Sequence, residues 1–191
     1  LEAIRNPSQV VAMKEAELLE RKEIFNGRVV DLSVDQVLMP NGKTTELEII
    51  RHPGAAAMVP LTESGDVILV RQYRYATGGW LLEVPAGKLD EGEKPEVCAA
   101  RELVEEVGMK SAELVPLGWI WTTPGFTDEK IWLYLCRGLE PAEQDLQDDE
   151  VLTVESKSLE QAVEMVRQGE ICDSKSVCAL LQAEAYLRFE S

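Results

Sequence analysis

An α+β fold is predicted for this chain, and three observations predict it. Short apolar runs bounded by turn residues recur along most of the sequence, as strands require. One segment, Pro95–Val107, consists of good helix formers set between a proline and a glycine. Towards the end come two more helical segments, each preceded by a residue able to cap it. With 191 residues the chain can enclose one substantial core and a small appendage.

Residues 9–22 are charged, rich in helix formers and predicted to open the chain as a helix. Strand-like runs follow at 23–30, 32–38 and 45–50. Met39-Pro40-Asn41-Gly42-Lys43 joins the last two as a turn, Asn-Gly being the strongest short hairpin signal. Residues 1–50 are set apart as a small N-terminal antiparallel β region, and 51–191 as the main domain. The main domain is expected to run as strand 55–61, a turn at Ser64-Gly65-Asp66, strands 67–73 and 80–84, and the helix Pro95–Val107. Strands near 114–121, 130–139 and 150–155 come next, then helices at Leu159–Gln168 and 175–189. Ser158 and Asp173 are the expected N-caps, and there is no internal repeat.

The net charge of −16 argues against nucleic acid or an anionic membrane as the main partner. No apolar run approaches the roughly 18 residues of a spanning helix, and the opening LEAIRNPSQV does not have the pattern of a secretory signal. Cys98, Cys136, Cys172 and Cys178 show neither a CxxC pair nor zinc-ligand spacing; they are expected to be reduced, mostly buried thiols of a cytoplasmic protein. His52 is the sole histidine, which argues against a Ser-His-Asp triad or a histidine zinc site, and it reads as a structural turn residue. Residues 141–150, PAEQDLQDDE, form an acidic loop.

The chemistry concentrates on the helix Pro95–Val107. Glu102, Glu105 and Glu106 stand at i, i+3 and i+4 and so project from one face. Val97, Ala100, Leu103, Val104 and Val107, with Cys98 beside them, are expected to form the apolar side. Leu81–Gly87 of the sequence, LLEVPAG, reads as a short strand entering a turn that brings backbone carbonyls such as that of Ala86 close to the helix. Three close carboxylates repel one another unless water or cations intervene. Hard oxygen donors of this kind suit Mg²⁺ or Mn²⁺, and a cluster of such ions is what a pyrophosphate needs. Bound ions would also reconcile an acidic protein with an anionic substrate, helped by basic residues such as Arg71 and Arg74.

The 23 residues from Gly87 to Met109, GKLDEGEKPEVCAARELVEEVGM, fit a strict template: Gly87, Glu93, then Arg101-Glu102-Leu103, Glu105-Glu106 and Gly108. At residue frequencies of about 0.07, eight fixed identities match by chance on the order of once in a billion starting points. This is the Nudix box, and the chain resembles the Nudix hydrolases. The resemblance implies a Nudix fold, a mixed β-sheet sandwiched between helices, with the loop–helix–loop as a metal-binding unit. Glu102 and Glu106 would be the principal ligands, with Glu105 and the Ala86 carbonyl adding to them, and two or more Mg²⁺ or Mn²⁺ ions would bind per active site. Gly87 would permit the turn. Glu93 and Arg101 would brace loop against helix, Arg101 pairing with a neighbouring carboxylate rather than with substrate.

Three further stretches look like the ADP-ribose pyrophosphatase branch. They are Arg71-Gln72-Tyr73-Arg74, Glu83 ahead of the Pro85-Ala86-Gly87 turn, and Pro124, fifteen positions after Met109. The resemblance implies hydrolysis of ADP-ribose to AMP and ribose 5-phosphate by a homodimer that exchanges its N-terminal strands, the adenine lying in a groove across the dimer. Arg28 stands where relatives often place a stacking aromatic. Arg74 would meet phosphate and Glu83 ribose hydroxyls. A carboxylate of the acidic loop, which offers Glu143, Asp148, Asp149 and Glu150, would take the proton from water: Glu150 first, then Asp148 or Asp149, with Glu105 next if all four are silent. The alternatives are another nucleoside-diphosphate sugar such as GDP-mannose, or a non-catalytic Nudix-fold sensor, against which the intact box carboxylates argue. An interaction domain without a ligand is the third reading.

Overall fold

The computed structural model describes residues 14–146 and 151–190, which fall into two compact units. The first ends at His52 and takes in Gly125–Thr127. It is an antiparallel sheet of β1 (Glu17–Asn26), β2 (Asp31–Leu38) and β3 (Thr44–Arg51), in that order. The Asn-Gly turn forms as expected: Met39 N–H donates to the Lys43 carbonyl at 2.8 Å, and Gly42 takes φ 80°. Ile50 N–H donates to the Phe126 carbonyl at 2.8 Å, tying the short 125–127 segment to β3.

The predicted opening helix is corrected here, because residues 17–22 are strand; 9–13 lie outside the described residues. Its Glu, Leu, Arg and Lys are good helix formers, but pairing along β2 overrides that preference. β1 is exposed along its whole length, and charged side chains suit an edge strand. The strand expected over 23–30 stops at Asn26, and residues 27–30 turn the chain into β2.

The enclosed row of β2 is Ser33, Asp35 and Val37. Asp35 accepts from Arg21 Nε and Nη2 and from Arg51 Nη2, all at 2.8 Å, and from the Ser33 hydroxyl. The Arg21 hydrogen bonds, helped by Ser33 and Arg51 and opposed by burial, hold the Asp35 carboxyl well below the usual carboxylate range. An ion cluster thus fastens all three strands of a sheet in which, among the described residues, Val37 is the one buried apolar side chain.

The second unit holds β4 (Ala55–Pro60), β5 (Asp66–Arg74), β6 (Gly79–Glu83), β7 (Ala86–Lys88), α1 (Pro95–Val107), β8 (Met109–Trp121), β9 (Lys130–Pro141), β10 (Leu152–Ser158), α2 (Leu159–Gln168) and α3 (Ser174–Glu190). One sheet has the order β7-β4-β9-β8, with β4 and β9 parallel and the other pairs antiparallel; the other is β10-β5-β6, antiparallel. β4 is buried on both faces and separates two cores. Ala55, Ala57 and Val59 join Ala179, Leu180 and Ala183 of α3, while Ala56 and Met58 join Cys98, Ala99, Leu103 and Val107 of α1. Helices therefore cover opposite faces of a mixed sheet.

The helix termini follow the sequence. Pro95 occupies the first turn of α1, where a missing N–H costs little, and Gly108 stops it at φ 67°. Ser158 and Gln161 form a capping box at α2, and Asp173 Oδ2 accepts the Ser176 N–H at 3.2 Å at the start of α3. No helix among the described residues is long and apolar enough to cross a membrane.

Asp35→Asn should loosen the N-terminal sheet by about 1–3 kcal/mol, since the charge-assisted hydrogen bonds from Arg21 and Arg51 to this carboxylate are lost. Because the folded carboxyl titrates below its unfolded value of about 4, the Asp35 contribution is complete above that pH and declines as pH falls below it. Amide protection factors across β2, compared at neutral pH and near pH 3, should show both effects.

Candidate active site

The face of α1 turned to the protein is Cys98, Ala99, Glu102, Leu103, Glu106 and Val107. This corrects the expected apolar side: Val97 and Ala100 are exposed, and two of the carboxylates lie on the inward face. Glu102 and Glu106 are only 4% and 2% exposed, whereas Glu105 is half-buried. Leu103 and Val107 anchor the helix in the core, so the carboxylates are held by packing on either side.

β7 is the wall they meet. Ala86 N–H donates to Glu106 Oε2 at 2.9 Å. Gly87 pairs with Ala56 in the ladder, and its role differs from the one expected. It is not needed for a turn, since its φ is not positive. A Cβ there would lie 1.8 Å from Glu102 Cδ and 1.9 Å from its Oε1, so the missing side chain is the space the carboxylate fills.

Arg101 ties the loop to the helix. Its Nε and Nη2 grip Glu93 at 3.0 and 2.9 Å, Nη2 also meets the Lys88 carbonyl at 3.1 Å, and Nη1 reaches Glu102 at 2.7 Å and Glu105 at 3.0 Å. The guanidinium beside Glu93 lowers that carboxyl to about 2, against the opposing pull of burial. The same bond to Glu93 raises Arg101 further above its ordinary value. Burial first, and then the Glu102 charge, push the Cys98 thiol up to about 12, so it is an inert neutral donor to the Gly87 carbonyl.

The chain after β9 closes the other flank. Ala142 N–H donates to Gly108 O, Asp145 N–H to Glu105 O, and Gln144 Nε2 to Glu106 O at 2.5 Å, satisfying carbonyls at the α1 C-terminus. Arg101, Val104, Glu105, Glu143, Gln144 and Asp145 line a cavity of about 570 Å³ there.

A second cluster stands at the end of the β5–β6 sheet. Glu83, 1% exposed, accepts from Arg74 Nη2 at 2.7 Å and Nε at 3.2 Å and from Lys175 Nζ at 2.7 Å; Lys175 also meets Asp173 Oδ2 at 2.9 Å. Burial raises the Glu83 carboxyl, but the bonds and charge of Arg74 and Lys175 outweigh it and leave a net lowering. Glu83 stands three residues before Ala86, whose N–H bonds Glu106, and the charge of Glu106 acts on Arg74 as well.

The structure thus brings together Ala86, Arg101, Glu102, Glu105 and Glu106, and joins Arg74 to Glu83. Arg28 lies exposed in the turn between β1 and β2, and Pro124 opens an exposed turn after β8. Asp148, Asp149 and Glu150 lie outside the described residues. Sequence reasoning alone misses Lys175 and Gln144. Lys175 stands beside the capping residue Asp173, and that adjacency was the one local signal available.

By donor type the box suits a hard divalent cation: three carboxylates within about one helical turn, two of them withdrawn from water. Among the described residues no three acidic, histidine or cysteine side chains already form a cation cage. Arg101 instead supplies the positive charge between Glu102 and Glu105.

A loop–helix–loop of buried carboxylates on a mixed sheet flanked by helices defines a protein class, and comparison with known proteins agrees with it. The NUDIX domain model matches residues 51–179, and the chain belongs to the Nudix family. It is 39% identical over 168 residues to the ADP-ribose pyrophosphatase of Bacillus subtilis (strain 168), which covers 87% of this chain and 91% of that protein. It is 41% identical over 168 residues to the methanol dehydrogenase activator of Bacillus methanolicus, with the same coverage of 87% and 91%. In fold it is similar to the crystal structure of an ADP compounds hydrolase, with a TM-score of 0.83 at 21% identity over 94% of this chain and 98% of that one.

Gly87→Ala should evict the Glu102 carboxylate while leaving the β4–β7 pairing in place. Isothermal titration with Mn²⁺ should then show weakened binding at an almost unchanged melting temperature; undiminished affinity would mean that Glu102 does not need this space.

Proposed function

We propose that this Nudix pyrophosphohydrolase cuts the pyrophosphate bond of ADP-ribose, giving AMP and ribose 5-phosphate. The observation that carries the proposal is the pair of buried carboxylates, Glu102 and Glu106, packed against β7 in a chain similar to an ADP-ribose pyrophosphatase over most of its length. Glu102 and Glu106, with Glu105 and the Ala86 carbonyl, hold divalent cations, two or more Mg²⁺ or Mn²⁺ to a site. When bound, such ions supply charge neutralisation and Lewis acidity to the pyrophosphate.

Arg101 positions Glu102 and Glu105 and braces the loop through Glu93. Arg74 offers its cation to a phosphate, and Glu83 acts through Arg74 by holding it in place. A carboxylate of the acidic loop accepts the proton of the attacking water as the P–O bridge breaks; Glu150 is the first choice, with Asp148 and Asp149 after it. Arg28 and Pro124 contribute to the nucleoside side of the site. The partner is a small nucleoside-diphosphate sugar. All four cysteines are free thiols, which suits a reducing compartment such as the cytoplasm.

Residues 1–50 are the dimerising region in this reading, exchanged with a second copy. A sheet whose first strand is exposed throughout has little core of its own, which supports it. Sedimentation should give about twice 21.3 kDa, and deletion of 1–50 should abolish both the dimer and ADP-ribose binding. A fully active monomer would contradict the exchange.

The substrate is tested by phosphate release after phosphatase coupling, with ADP-ribose, ADP-glucose, GDP-mannose and NADH compared in Mg²⁺. ADP-ribose should be cut with the highest kcat/KM; a clear preference for GDP-mannose would move the assignment within the family. Glu106→Gln can still accept the Ala86 N–H and should fold, yet lose at least about a hundredfold in kcat, the scale of one positioned charge at a transition state. Glu102→Gln should behave alike, whereas Glu113→Gln, on the exposed surface of β8, should not.

A further inference from the structure

Side chains alternate along a strand, and β5 pairs with β6 without a bulge from Val70↔Glu83 to Arg74↔Gly79. Ile68, Val70, Gln72 and Arg74 therefore share one face. Ile68 and Val70 pack in the core beneath α1. Arg74, at the far end of the row, binds Glu83 and feels the charge of Glu106. Gln72 sits between the apolar and the charged parts, flanked across the ladders by Leu81 and Leu152. It is 7% exposed, and its Oε1 has no hydrogen-bond partner among the described residues. A buried amide oxygen in that condition is costly, and native proteins keep such groups where something else completes them.

A sugar hydroxyl must donate to an acceptor that has capacity. Glu83, the residue expected for this task, is already engaged: its Oε2 accepts from Arg74 Nη2 and Lys175 Nζ at 2.7 Å, and Arg74 Nε shares its N–H between both oxygens, so only Oε1 keeps capacity, beside two cations that hold the carboxylate in place. The acceptor without a partner on the same face is Gln72, which stands between Glu83 and Arg74 along the ladder.

We propose that Gln72, rather than Glu83, accepts a hydrogen bond from a ribose hydroxyl of the nucleoside-diphosphate sugar and is a specificity-determining residue of the site. This rests on the substrate reading given above. Its neutral amide adds no charge between Glu83 and Arg74, and its burial makes the missing bond costly for any substrate without that hydroxyl. A site built to meet a hydroxyl discriminates strongly against the analogue that lacks it.

The test uses the full-length protein with Gln72→Met, which keeps the length of the side chain and removes its polar atoms. Hydrolysis is compared for ADP-ribose and a set of analogues, each lacking one hydroxyl of either ribose. The variant should lose about tenfold or more in kcat/KM on ADP-ribose, and that loss should vanish for one analogue of the set. Its melting temperature should not fall, since an unsatisfied buried group has been removed.

An equal loss on every analogue, as expected if Gln72 meets a structural water or a phosphate, overturns the proposal. So does unchanged hydrolysis of ADP-ribose, or a lowered melting temperature with a uniform loss. If the wild-type enzyme cuts another nucleoside-diphosphate sugar and not ADP-ribose, the substrate reading fails by itself, and the deoxy series of that sugar decides on Gln72.

Discussion

Two carboxylates of one helix are turned inward, and the rest of the site follows from what that requires. A glutamate that is almost fully buried must have space, hydrogen bonds and a nearby positive charge, or it will not remain ionised. The space is Gly87, where no other residue leaves room for Glu102. A hydrogen bond comes from Ala86 N–H, and the charge comes from Arg101, itself held by Glu93 and the Lys88 carbonyl. Leu103 and Val107 keep the helix from rotating the carboxylates back to solvent. Each of these parts is meaningful only in the presence of the others.

The cluster at Glu83 extends the same logic to the neighbouring sheet. Lys175 comes from the first turn of α3 and Arg74 from the end of β5, so one buried carboxylate fastens the C-terminal helix to the β5–β6 pair. Ser176 adds to this join by accepting the Val84 N–H at 2.7 Å. Two strands and a helix distant in sequence are thereby locked around the short segment, 84–87, that carries the wall of the site.

Local chemistry made α1 legible: Pro95 and Gly108 mark its ends, and the structure agrees to the residue. Asn41-Gly42 and Ser158 were equally plain, because a turn or a cap is decided by a few adjacent residues. The first part of β1, residues 17–22, was not legible, since its glutamates and leucines favour a helix until β2 is present to pair with them, whereas 23–26 read as strand. The inward face of α1 was misjudged for a related reason: Val97 and Ala100 are apolar, Glu102 and Glu106 are not, and only the gap at Gly87 explains why the charged pair goes inside. Gly87 itself could be read from the spacing of the box, but its purpose could not. Lys175 lies 92 positions from the carboxylate it serves, and no local pattern announces such a partner.

The parallel pairing of β4 with β9 bears on when the site can exist at all. Ala55 lies beside Ile131, and the whole carboxylate helix is strung between them. Joining strands so far apart along the chain means closing a long loop before the reward of burial arrives, a step that slows folding. Until β9 is in place, β4 has an open edge and α1 has no complete floor. A ribosome-bound chain that has not yet released β9 would carry every acidic residue of the box and still have no pocket in which to bury them.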